Sequence, residues 1–189
     1  MVSGSDRVSA ATDPRVTVFV CANCARGAVA ASAVPKAVQP PRFDWPAHIE
    51  VEQVMVPCTG TIQPEHILKA IEAGADLVCV IGCEPDNCHR FEGSRRAARR
   101  VDYVGQMLDE LGLGADRVIW TSLPGSARQD TAAGAGAAAD ACEGLDEKVA
   151  AVRDRIVQHL ASLPPNPLRQ QSAADGKTIE QLSGSGLSK

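Results

Sequence analysis

Three predicted strands in this chain each lead straight into a cysteine. Val16–Val20 meets Cys21, with Cys24 close behind. Val51–Val56 meets Pro57 and Cys58. Leu77–Ile81 meets Gly82 and Cys83, and Cys88 follows. Val16–Val20 is a short continuous apolar run, the pattern of a strand buried on both faces, as in a parallel sheet covered by helices. Parallel neighbours lie ~4.8 Å apart, so three such strands would gather their thiols along one edge of the sheet. Open α/β sheets bind their ligands at that edge, outside the carboxyl ends of the strands. A cluster of soft sulfur donors there suits a metal centre better than it suits a core.

The segments between and after these runs carry helical signals. Ala-rich residues 25–34 suggest a short helix stopped near Pro35. Pro64 occupies a first-turn position, and Ile67, Leu68 and Ile71 share one face of the stretch that runs to Ala73. From Glu92 to Leu111, the residues Ala97, Val101, Val104, Leu108 and Leu111 form an amphipathic stripe. Val118–Thr121 reads as a fourth strand, and Val149, Val152, Ile156, Val157 and Leu160 as the apolar face of a last helix. Alternating β and α predicts an α/β fold: flavodoxin-like, about four parallel strands in the order 2-1-3-4, helices on both faces. The expected organisation is a disordered leader over 1–14, one α/β domain over 15–163 with an Ala/Gly-rich loop at 125–144, and a polar, disordered tail over 164–189.

Composition narrows the chemistry. Aromatics make up only 3% of the 189 residues, so the core must be built from Val, Ile, Leu and Ala. A net charge of −4 argues against nucleic acid as a partner. No apolar run approaches the ~20 residues of a membrane span, so no membrane partner is expected. Residues 1–14 lack the apolar segment of a secretory signal, which points to the cytoplasm. Reducing compartments do not maintain structural disulfides, so clustered cysteines there read as metal-binding or catalytic. No G-x-G-x-x-G, G-x4-G-K-[ST], H-E-x-x-H or G-x-S-x-G motif marks a nucleotide, phosphate or hydrolase site.

Of the seven cysteines, five are candidate ligands: Cys21, Cys24, Cys58, Cys83 and Cys88. Cys21 and Cys24 form C-x-x-C, which alone fits a redox pair, half a zinc site or half an iron-sulfur site. Cys83 and Cys88 form C-x4-C across a Pro-containing loop, and Cys58 is followed by the small residues Thr59 and Gly60. Five exceed the four ligands usual for an iron-sulfur cluster, so one thiol is spare; Cys24 is the first to set aside. Cys79 lies inside a strand and reads as core packing, and Cys142 receives no role. His89, next to Cys88, reads as a hydrogen-bonding neighbour of the site rather than a ligand. His48, His66 and His159 have no cysteine nearby. Arg90, Arg95, Arg96, Arg99 and Arg100 place a positive stripe beside the cysteine edge: a solvated face, a docking surface for an acidic partner, or compensation for an anionic cluster.

Three blocks of this chain together resemble one family. They are Cys21-x-x-Cys24 after the first strand, Val56-Pro57-Cys58-Thr59-Gly60-x-x-x-Pro64, and Gly82-Cys83-x-Pro85-x-x-Cys88-His89-x-x-Glu92-Gly93-Ser94 before an Arg-rich helix. The chain is similar from about Val16 to Trp120 to the iron-sulfur delta subunit of methyl-viologen-reducing hydrogenase. The resemblance implies a 2Fe-2S cluster and a non-catalytic electron-transfer role within an oxidoreductase complex. It implies as partners a hydrogenase or formate dehydrogenase-type subunit and a heterodisulfide reductase-like flavoprotein. Cys21, Cys24, Cys58, Cys83 and Cys88 are the residues that match its motifs. The rival readings are a zinc-binding structural or regulatory protein using four of the same thiolates, and a thiol-disulfide oxidoreductase acting through Cys21 and Cys24.

Overall fold

The computed structural model describes residues 13–24, 43–88, 90–123 and 145–169. The predicted helix over 25–34, the loop over 125–144, Cys142, His89 and most of the leader and tail lie outside the described residues. Four strands form one sheet: β1 (Arg15–Cys21), β2 (Glu50–Val56), β3 (Leu77–Cys83) and β4 (Val118–Leu123). Every pairing is parallel and the order is β2-β1-β3-β4, as expected from the sequence. The helices are α1 (Pro64–Glu72), α2 (Gly93–Glu110) and α3 (Leu145–Ala161).

β1 and β3 are paired on both sides and buried along nearly their whole length, which is why they read as unbroken apolar runs. Two cores flank the sheet. On one face Ile67 and Ile71 of α1 and Val101, Val104 and Leu108 of α2 pack against Phe19, Val78 and Val80. On the other, Val149, Val152, Ile156 and Leu160 of α3 meet Val16, Val18, Val20 and Ile81. Cys79, fully buried, packs on that second face, the core position expected for it. Burial pushes its thiol well above the ordinary value, so it stays protonated. The connections β2→β3 and β3→β4 step the same way across the sheet and share a face for their helices, as a constant crossover hand requires.

The strands run further than the apolar runs that announce them. β1 extends through Cys21 and β3 through Cys83, so these two thiols belong to the ends of ladders rather than to loops. At the opposite end of the sheet, Asp76 ties the chain together. Its carboxylate accepts from the Arg15 amide (2.8 Å), the Asn166 amide (2.6 Å) and the Arg169 guanidinium (2.7 Å). Asn166 is 2% exposed and donates from its side chain to the carbonyls of Ile71 and Ala75. Arg117, also buried, donates to the carbonyls of Leu113, Asp76, Pro164 and Pro165. Residues 164–169, assigned from sequence to the tail, are thus fixed under the sheet by buried polar groups.

Candidate metal centre

From β1 the chain moves to one side of the sheet, and from β2 it crosses to the other. The carboxyl ends of β1 and β3 therefore flank the point where the strand order reverses, where open sheets leave a crevice. Register places Val20 opposite Ile81 and Cys21 opposite Val56, so Cys21 and Cys83 emerge side by side. The turn after β1 closes with Cys24 N–H donating to Cys21 O (3.0 Å) and brings Cys24 back over the same point. Cys83 Sγ lies 3.7 Å from Cys21 Sγ and 3.4 Å from Cys24 Sγ. The three sulfurs lie within 4.8 Å of one another, a donor group able to hold a metal ion. Cys24, the thiol set aside first from sequence, sits inside this group.

Cys58 and Cys88 form a second pair beside it. The segment after β2 and the first turn of α2 meet backbone to backbone at Gly60 and Gly93: a Cβ on Gly60 would lie 2.7 Å from Gly93 Cα. Gly93 is in turn pressed between the two thiols, where a Cβ would collide with Cys58 Sγ and lie 3.3 Å from Cys88 Sγ. Gly93→Ala is therefore expected to spread this pair and lower bound iron severalfold while α2 still forms, read as iron per chain beside the far-UV dichroism.

Main-chain donors surround the sulfurs. Burial works against ionising Cys88, yet bonds from its neighbours, the amides of Ser94, Arg90 and Gly93 among them, outweigh it and hold the thiol below its ordinary value. Gly93 and Ser94 begin α2, whose first amides have no partner within the helix and whose dipole favours a negative charge there. Ser94 Oγ also donates to Cys83 O (2.5 Å), tying α2 to the end of β3. Burial pushes the Cys58 thiol up, partly offset by the Gly60 amide. In the triad, thiol protons donated by Cys24 and Cys83 drive Cys21 strongly down, against burial, with help from the amides of Asn23 and Thr59. Cys24 is driven strongly up because its proton serves Cys21 and then Cys83, with burial adding to both. Cys83 is raised mainly by donating to Cys21. Metal ligation takes cysteine as thiolate, so a bound cation would displace the thiol protons that these sulfurs share.

The structure thus brings all five candidate cysteines to one edge and buries each of them. His66 and His159 are engaged elsewhere: His66 Nδ1 accepts from the Gln63 amide at the start of α1, and His159 Nε2 lies 2.7 Å from Asp116 O. Of the arginine run, Arg100 is a strut, donating to the carbonyls of Gly60 (2.8 Å) and Ile62 (2.7 Å), and so steadies the loop that carries Cys58. Sequence reasoning assigned no role in the site to Ser94 or Gly93. The signal was present as Gly-Ser at a helix start, separated from C-x4-C by four residues.

Known proteins resemble this chain in sequence. The family model described as methyl-viologen-reducing hydrogenase, delta subunit, matches residues 16–146, more than half of the chain. The vhu iron-sulfur subunit of the F420-non-reducing hydrogenase of Methanocaldococcus jannaschii is 31% identical over 84% of this chain and 99% of its own length. The vhc iron-sulfur subunit of Methanococcus voltae is 38% identical over 58% of this chain and 72% of its own. A stretch of a ferredoxin:CoB-CoM heterodisulfide reductase component from Methanosarcina mazei is 32% identical over 58% of this chain, but that stretch is only 13% of the longer protein.

Proposed function

Because this chain belongs to the methyl-viologen-reducing hydrogenase delta-subunit family, we propose that it is an electron-transfer subunit carrying a 2Fe-2S cluster on four of Cys21, Cys24, Cys58, Cys83 and Cys88. The observation that carries this reading is the sulfur triad at the strand-order switch with Cys58 and Cys88 against the same edge. The donor set fits such a group: it is all sulfur, buried, and faced by amides of Thr59, Gly60, Gly93 and Ser94 that can bond to thiolate without adding charge. When bound, the cluster would supply one-electron storage. The chain's own residues do the rest: the ends of β1 and β3 fix two ligands, the loops after β2 and β3 bring further thiols, and burial excludes water.

The proposed partners are a hydrogenase or formate dehydrogenase-type subunit and a heterodisulfide reductase-like flavoprotein. Relatives named as heterodisulfide reductase components hold a stretch like this chain within one long polypeptide, and covalent linkage of two units supports their association when they are made separately. No helix among the described residues is long and apolar enough to cross a membrane.

Anaerobically purified protein is expected to contain about two irons and two sulfides per chain, the composition of a 2Fe-2S centre. Dithionite should bleach its visible absorption and produce a spin-half EPR signal. Colourless protein holding one tightly bound zinc would overturn the reading in favour of a structural zinc site on four thiolates.

A further inference from the structure

We propose that the mouth between the Cys58 loop and the start of α2 is the docking face for an acidic protein surface, and the port through which electrons pass. The inference rests on the cluster reading above but concerns a different part of the molecule. A cavity of about 480 Å³ opens here, lined by Cys58, Arg90, Phe91, Glu92, Gly93 and Arg96 among others. One of the five thiols, Cys58, forms part of its wall.

Three features of the mouth point to a protein partner. Phe91 is 62% exposed, and its φ of 58° makes it the non-glycine residue in the left-handed region among those described. A bulky side chain seldom adopts that conformation, and here the turn in which Phe91 N–H donates to Cys88 O (2.9 Å) holds it outward beside the thiols. Aromatic anchors of this kind are enriched at protein interfaces. The lining carries the exposed Arg90 and Arg96 beside Glu92, which pairs with Arg96 at 3.1 Å, and the exposed Arg95 and Arg99 follow on the first turns of α2. The patch is positive on a chain whose net charge is −4, so it is a local departure from the charge of the whole. A partner that presents carboxylates around an apolar socket would match both the guanidinium ring and Phe91, and would bring its own redox centre next to Cys58 and Cys88.

The opposed signs of patch and molecule make the test decisive. Reduced holoprotein is mixed in a stopped-flow instrument with ferricyanide or with hexaamminecobalt(III). Each oxidation moves one electron from the cluster to the oxidant. If the basic mouth is the port, ferricyanide reacts faster at low salt and slows steeply as salt rises. Charge reversal at Arg95, Arg96 and Arg99 to Glu should cut its rate by about tenfold and quicken the cobalt complex. The neutral set Arg95→Gln, Arg96→Gln, Arg99→Gln should fall between, and unchanged visible spectra verify that the centre survives in both. In a second arm, a heterodisulfide reductase-like flavoprotein from the same organism is co-produced with the chain. Wild type should co-purify with it, while the Glu variant and Phe91→Ala should not. Rates indifferent to the substitutions, a cobalt preference set by the overall charge, or equal binding by wild type and variants would overturn the proposal. The binding arm needs no cluster, so failure of the cluster reading shows as absent colour while the docking face is still judged on its own.

Discussion

Cys83→Ala is expected to empty the metal centre. Cys83 is the sulfur shared by the triad, 3.7 Å from Cys21 Sγ and 3.4 Å from Cys24 Sγ. Alanine there leaves Cys21 and Cys24 without the third sulfur of their group. Loss of residues that merely orient metal ligands costs about 10- to 100-fold in affinity, so loss of this ligand should lower bound iron by about tenfold or more. The fold should survive, because what Cys83 gives the sheet is main chain: its register with Leu123 and its carbonyl bond from Ser94. The measurement is iron per chain and visible absorption on anaerobically purified variant, with far-UV dichroism to verify the fold. Cys79→Ala is the control, since that thiol lies within β3 among Val16, Val18 and Ile156, and its iron content should equal that of wild type. Full iron in Cys83→Ala would make Cys83 the spare thiol and leave the centre to the other four.

Asp76→Ala is expected to be the most destabilising polar substitution away from the thiols. The Asp76–Arg169 pair is held at 2.7 Å with side-chain exposures of 5% and 11%, so water does little to screen it. Removing the carboxylate takes a buried acceptor from the Arg169 guanidinium, which keeps its bond to Asp13 O, and from the amides of Arg15 and Asn166. Breaking such a pair from one side costs about 3–5 kcal/mol. For a chain of this size that is a fall of about 10 °C in the unfolding midpoint. Thermal unfolding of the purified protein measures it. The site lies at the opposite end of the sheet from the thiols, so iron content of the folded fraction should be unchanged. A midpoint within about 2 °C of wild type would show that segment 164–169 contributes little to stability.

Much of this architecture was legible in the residues. Val16–Val20 and Leu77–Ile81 are apolar without interruption because β1 and β3 are covered on both faces, and a parallel central pair follows from that. The order 2-1-3-4 followed from alternating elements and the need to bring three cysteine-bearing ends together. The gathering of Cys21, Cys58, Cys83 and Cys88 at one edge was implied by their positions at strand ends. Cys24 was harder to place, because a two-residue spacing does not say whether the turn swings its second thiol inward; the backbone bond from Cys24 to Cys21 O does that. The role of Arg100 was hidden in a run of like charges, since only the folded chain shows which guanidinium meets the carbonyls of Gly60 and Ile62. The Asp76 network joins residues far apart in sequence, and Asn166 sits among prolines that read as tail composition. Long-range polar pairing of this kind leaves no periodic mark.

The two inner strands also bear on speed. Cys21 and Cys83 end β1 and β3, each of which is hydrogen-bonded to a neighbour on either side. Atoms anchored that way shift little when the charge beside them changes, and preorganised surroundings of this sort need no rearrangement at the moment of transfer. A redox centre seated on them would exchange its electron with a small nuclear displacement, and most of the accommodation would fall to the looser side, where the turn around Cys88 faces the incoming partner.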